Sequence, residues 1–127
     1  SCCENFSILP VEFYSIKNEI EKFKISTEIA DKNSCKFLIN NKCSIYKSRP
    51  VICRTQGVPL LFMSEDYNFE LSVCDLNFSD FDFQKFNSEN TYSLDTYNNE
   101  LFMLNKEFIE NFDRKYSEFE LISINEL

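Results

Sequence analysis

Three cysteines confine the middle of this chain: Cys35, Cys43 and Cys53, in C-K-F-L-I-N-N-K-C-S-I-Y-K-S-R-P-V-I-C-R. Seven residues separate the first pair and nine the second, with Asn40-Asn41-Lys42 placed to fold the first two flanks together as a hairpin. The strands expected are Phe37–Ile39 and Ser44–Tyr46, which would put Cys35 and Cys43 on neighbouring strands. Pro50 can open a short helix through Val51, Ile52 and Cys53. Gly57, the chain's one glycine, and Pro59 supply the usual stop signals.

The cysteines matter more because the chain has no histidine. A Ser-His-Asp triad, a Cys-His nucleophile pair, a Cys2His2 finger and a two-His iron triad are all excluded within it. A metal must be held by Cys, Asp, Glu or backbone. Six cysteines in 127 residues, three of them clustered and two adjacent at Cys2-Cys3, can be read as disulfides, as separate buried thiols or as metal ligands. Adjacent cysteines seldom bond each other, and a chain of this length can bury a core without staples. Metal ligation is the preferred reading. Thiolates are soft ligands that select zinc, copper(I) or iron–sulfur clusters. The spacing is neither that of a zinc ribbon nor that of a ferredoxin, so zinc and iron both stay open.

Around this centre the expected fold is α+β and mainly helical: a small β-hairpin with a Cys cluster packed against two or more helices. Leu9-Pro10 marks a helix start, and Phe13, Ile16, Ile20 and Phe23 recur at helical spacing, with Glu12, Lys17, Glu19 and Lys24 off that face. This predicts a helix over 10–24. Residues 26–34 read as a connector, 58–63 as a strand or buried segment, 64–68 as a turn and 69–74 as a strand ending at Cys74. Residues 77–90 read as an acidic, Phe-rich wrap with a short helix. The last helix is expected over 93–116, with Leu94, Tyr97, Leu101, Leu104, Phe108 and Phe112 facing the rest of the domain. A single domain over 1–127 is expected, with a Cys-rich metal-binding core at 1–76 and an acidic helical extension at 77–127.

Charge is spread unevenly along the chain. Residues 1–63 carry nine Lys/Arg against six Asp/Glu, or +3, and residues 64–127 carry four against fifteen, or −11. The acidic surface argues against nucleic acid, while it suits a basic protein or peptide partner. Basic residues close to the cysteines can offset the charge of clustered thiolates. No apolar run approaches the ~18 residues of a membrane span, and no signal-type leader is seen, so a cytoplasmic protein without a membrane partner is expected.

The stretch 35–54 also resembles the centre of the YkgJ-like family, whose members bear a C-x-x-C-x-x-C-C signature and are described as a candidate zinc- or iron-chelating domain. Cys35, Cys43 with Ile45-Tyr46, Arg49-Pro50 and Cys53-Arg54 match its pattern. Cys2-Cys3 resembles the final pair of the signature, and Cys74 a later cysteine. The resemblance covers roughly residues 1–76, and the first two signature cysteines are missing, as in a chain truncated ahead of Ser1. It implies metal ligands at Cys2, Cys3, Cys35, Cys43, Cys53 and Cys74, with Cys3, Cys43, Cys53 and Cys74 as the first four and Cys2 and Cys35 as the extra pair. Arg49 and Arg54 would be supporting cations and Tyr46 a packing residue of the hairpin. The implied function is a Cys-rich zinc- or iron-(sulfur-)chelating domain with a structural or metal-handling role. The alternative is an iron-dependent oxidoreductase or protein-modifying enzyme.

Overall fold

Pro10 starts the first helix, and what it lacks explains much of the packing. We describe the fold from a computed structural model of the chain, which describes residues 3–27, 33–75, 77–80, 82–112 and 116–127. Helix α1 spans Pro10–Phe23, with Leu9 as an extended N-cap that offers no side-chain hydrogen bond. Proline gives up an N–H that would be unpaired at that position anyway. The next donor, Val11 N–H, is taken by Asn105 Oδ1 at 3.1 Å, from the far end of the chain. The helix ends at Lys24, which adopts φ 50° and donates its N–H to Ile20 O. Phe13 and Ile16 are buried as the spacing predicts, and Pro10 is buried with them. The stripe then runs out: Phe23 is 60% exposed, with Lys22 Nζ 4.9 Å from its ring centroid.

The chain divides into two compact units, residues 1–54 with 102–127, and residues 55–101. The first holds the core, in which Ile8, Phe13, Ile16, Phe37, Ile45, Ile122 and Ile124 pack together. Strand β1 (Ser7–Ile8) is also in this unit. The hairpin follows as β2 (Leu38–Ile39) and β3 (Lys42–Cys43), with Leu38 opposite Cys43 and Ile39 opposite Lys42. Asn40 and Asn41 take φ 49° and 61°. Two left-handed residues in succession make the tight hairpin turn that matches strand twist, and asparagine tolerates that region better than most side chains. The hairpin is shorter than the sequence predicts. Its second strand ends at Cys43, and Tyr46–Ser48 form a 3-10 turn instead. Cys35 lies ahead of the first strand. Helix α2, Val51–Thr55, follows as expected.

Helix α3 spans Leu94–Asn111, shorter than the predicted 93–116, of which 113–115 lie outside the described residues. Its inward face is also rotated from the expected one. Asn105 and Ile109 are buried, whereas Tyr97 and Leu104 are 44% and 57% exposed. Counting apolar residues misses this because the centre of the buried face is polar. Asn105 is fully enclosed and both its polar atoms are engaged, Oδ1 accepting from Val11 N–H and Nδ2 donating to Glu118 O at 3.2 Å. Phe112 and Phe108 stack on each other and reach the Tyr14 ring, whose hydroxyl shares a 3.1 Å hydrogen bond with Tyr116. At the C-terminus β7 (Ile122–Ser123) pairs antiparallel with β1, Ile8 opposite Ile122. Neither strand was legible in two residues of sequence.

The second unit is built on a three-stranded sheet. Strand β4 (Leu60–Met63) pairs antiparallel with β5 (Phe69–Ser72) and parallel with β6 (Tyr92–Ser93), in the order β5-β4-β6. The 64–68 turn and the 69–72 strand lie where the sequence places them. Asp95 Oδ2, at the start of α3, accepts from Met63 N–H at 2.7 Å. Gly57 takes φ 85°, the left-handed conformation that ends a helix, and its carbonyl accepts from Asn77 Nδ2 at 3.1 Å. With three α-helices and three small sheets among the described residues, the fold is α+β. No described helix is long and apolar enough to cross a membrane.

Candidate metal centre

Four of the six cysteines come together in the first unit, each delivered by a different local device. Cys3 precedes β1. An isolated bridge pairs Glu4 with Ser34, and Cys35 N–H donates to Cys3 O at 3.4 Å, so these two residues lie side by side. Cys43 closes β3, across from Leu38. Cys53 rides on α2. All four are half-buried and none is disulfide-bonded.

The thiols lie within electrostatic range of one another. Burial, then the neighbouring Cys35, Cys43 and Cys3, together push the Cys53 thiol up to about 12, with Arg49 opposing them. Cys35 is raised by burial and by Cys43 and Cys3, against a hydrogen bond from the Phe37 N–H and the charge of Lys36. Cys43 is raised by burial and by Cys3, against a hydrogen bond from the Ile45 N–H and the charge of Arg49. The two hydrogen bonds share one geometry: the amide two residues on points back at the sulfur. Both donors belong to side chains that are almost wholly buried, Phe37 and Ile45, so the core fixes the amides that face the thiols. Amides and cations of this kind favour the thiolate, which is the form that binds metal.

The two arginines proposed as supporting cations take different positions. Arg49 lies with its guanidinium 3.8 Å from the Tyr46 ring centroid, and Nε donates to Tyr46 O at 3.1 Å. It is the arginine whose charge acts on Cys43 and Cys53. Arg54 instead donates to Arg49 O at 2.6 Å and Lys47 O at 2.7 Å, bracing the turn that carries Arg49, and it faces Glu12. Tyr46 is not a hairpin packing residue. It is 63% exposed and serves as the platform for Arg49.

In the sequence, Glu12 lies off the apolar face of α1 and its helix fits the family's layout, but no contact is assigned to the side chain. Its Oε1 accepts from Val51 N–H, the first residue of α2, at 2.7 Å. Leu9 N–H also bonds to the carboxylate, and burial raises the Glu12 pKa against these two donors and Arg54. A glutamate three residues after an N-cap is a recognised capping signal, so the Leu9 contact was available in the sequence. The long-range contact to Val51 was not.

A family model named CxxCxxCC, described as a candidate zinc- or iron-chelating domain, matches residues 1–93. The chain belongs to the CxxCxxCC family. No curated protein and no solved structure matches it. The family match continues past residue 76, where the resemblance in the sequence ends, and takes in the whole three-stranded sheet.

For a CxxCxxCC-family chain the donor set is the decisive test. Four gathered thiols, two inward amides and a nearby guanidinium suit a soft, thiophilic dication or an iron–sulfur cluster. Among the described residues, no three Cys, Asp or Glu side chains already stand at coordination spacing. Cys2 lies outside the described residues. Cys74 belongs to the second unit, two residues past β5, and is half-buried.

Proposed function

We propose that this chain is a Cys-rich zinc- or iron-chelating domain in which Cys3, Cys35, Cys43 and Cys53 hold the metal. The mutual electrostatic range of these four thiols, inside one unit and backed by the Phe37 and Ile45 amides, carries the reading. Cys35 thus joins the primary set instead of standing in reserve. Cys2 and Cys74 are proposed as further metal ligands. Arg49 offsets thiolate charge directly, and Arg54 supports it by holding the turn.

All-thiolate zinc would give a closed, structural site, and an iron–sulfur cluster would add electron transfer. The family match supports either metal. We favour a structural or metal-handling role, in a single domain over 1–127 with its Cys-rich core at 1–76 and an acidic extension at 77–127. A reducing, cytoplasmic setting, which keeps clustered thiols available to a metal, belongs to the same reading. The −11 charge of residues 64–127 suits a basic protein or peptide partner and opposes nucleic acid.

The test is purification without oxygen, followed by elemental analysis and an absorption spectrum of the same sample. Stoichiometric zinc in a colourless protein identifies the closed site. Iron and sulfide with broad absorption near ~400 nm identify a cluster. A chain that takes up neither contradicts the proposal.

A further inference from the structure

We infer that Glu12 is a positioning residue for the metal centre: from α1, its carboxylate fixes the start of α2 and thereby the place of Cys53. The inference rests on the metal-binding reading above and assigns a role to a residue outside the cysteine pattern. Two observations carry it. Glu12 Oε1 holds Val51 N–H at 2.7 Å across 39 residues of sequence, while the same carboxylate binds Leu9 N–H at the start of its own helix. One side chain thus serves the first turns of two helices. The second observation is what α2 lacks. It is only five residues long, too short to hold itself, and Cys53 is its third residue. Arg54, which follows Cys53, faces the same carboxylate and is tied to Arg49 O and Lys47 O. Glu12 is therefore the point where α1 meets the segment bearing Cys53 and Arg49. α1 is anchored in turn by Asn105 at Val11 and by Phe13 and Ile16 in the core.

A thiol on a single helical turn keeps its place only as well as that turn does. Partners that orient metal ligands without touching the metal commonly change affinity by about 10–100-fold when removed. Glu12→Ala removes the acceptor. Glu12→Gln keeps an acceptor of the same length without the charge.

The experiment compares zinc affinity, by competition with a chromophoric chelator, and the thiolate-to-cobalt charge-transfer spectrum of the full chain and its variants. Glu12→Ala should bind zinc about 10–100-fold more weakly, with altered cobalt bands, and Glu12→Gln should recover most of the affinity. Ile124→Val, a core change remote in sequence from α2, controls for general loss of stability. The inference is overturned if Glu12→Ala binds as tightly as the parent, or if Ile124→Val at equal Tm loses as much affinity. Should the parent chain bind no metal, the metal-binding reading fails on its own. Positioning is then read from Cys53 alkylation in a chain whose other cysteines are serine. A faster rate in Glu12→Ala supports the inference, and an unchanged rate overturns it.

Discussion

The two units differ in how they are held. Every residue of the apolar core belongs to the first unit, together with the four gathered thiols. Among the described residues of the second unit, Thr55 is the one that is buried. The described residues of 55–101 are joined by the β5-β4-β6 ladder, by the Tyr92–Tyr97 and Phe78–Phe86 ring contacts, and by polar contacts: Asp95 on Met63, Asn77 on Gly57, and Asn87 and Asn90 on their own loop. Apolar burial contributes roughly 25 cal/mol per Å², whereas a hydrogen bond that replaces one to water contributes about 1 kcal/mol net. The difference teaches that rigidity is concentrated where the cysteines are. A metal site needs ligands held in place, and the first unit supplies that by packing. The second is expected to open locally at lower free energy.

Truncation in the core should break this contrast most severely. Phe37 is wholly enclosed and its amide faces Cys35, so Phe37→Ala should cost about 3–5 kcal/mol in urea unfolding. Phe69→Ala in the second unit, at a position 71% exposed, should stay within about 0.5 kcal/mol. Equal losses would contradict the division. Asn105→Ala comes next. It leaves Val11 N–H and Glu118 O without their partner inside the protein, at a cost of about 1–3 kcal/mol by the same measurement. Gly57→Ala sharpens the comparison from the other side. An added Cβ would sit 2.8 Å from Asn77 Nδ2 on a backbone at φ 85°, a strain of about 1–2 kcal/mol. Amide exchange should show the effect first in β4 and β5, through local opening.

The smallest effect expected is a pH slope. The Cys53 thiol lies near 12 in the folded chain against an ordinary 9.0, and Cys35 and Cys43 shift the same way. Above about pH 9 the unfolded chain gives up protons that the folded chain keeps. Stability of the metal-free protein is then complete below that pH and falls as pH rises toward 12. Cys53→Ser should flatten the slope in denaturant melts between pH 8 and 11. Zinc should remove it, because bound thiols are already deprotonated.

How much of this was legible in the sequence depends on how local each cause is. Pro10 and the Phe13–Ile16 spacing, the Asn40-Asn41 turn, and the Pro50-to-Gly57 start and stop all act over a few residues, and all appear as read. The cysteine stretch was legible as a metal-site candidate for the same reason. Causes that act across the chain were not. Asn105 looks like a surface residue until Val11 needs an acceptor, and Glu12 looks solvated until Val51 does. The two-residue strands at 7–8 and 122–123 have no period to detect, yet they set Ile8 against Ile122 in the core. Spacing alone also cannot show the bridge from Glu4 to Ser34 that sets Cys35 beside Cys3.

The most direct test of the central claim is zinc stoichiometry of the full chain against a variant with serine at Cys3, Cys35, Cys43 and Cys53. Both should be purified without oxygen and their folding checked by circular dichroism. The account predicts stoichiometric, tightly held zinc or iron in the parent and none in the folded variant. Equal metal content in the two would contradict it.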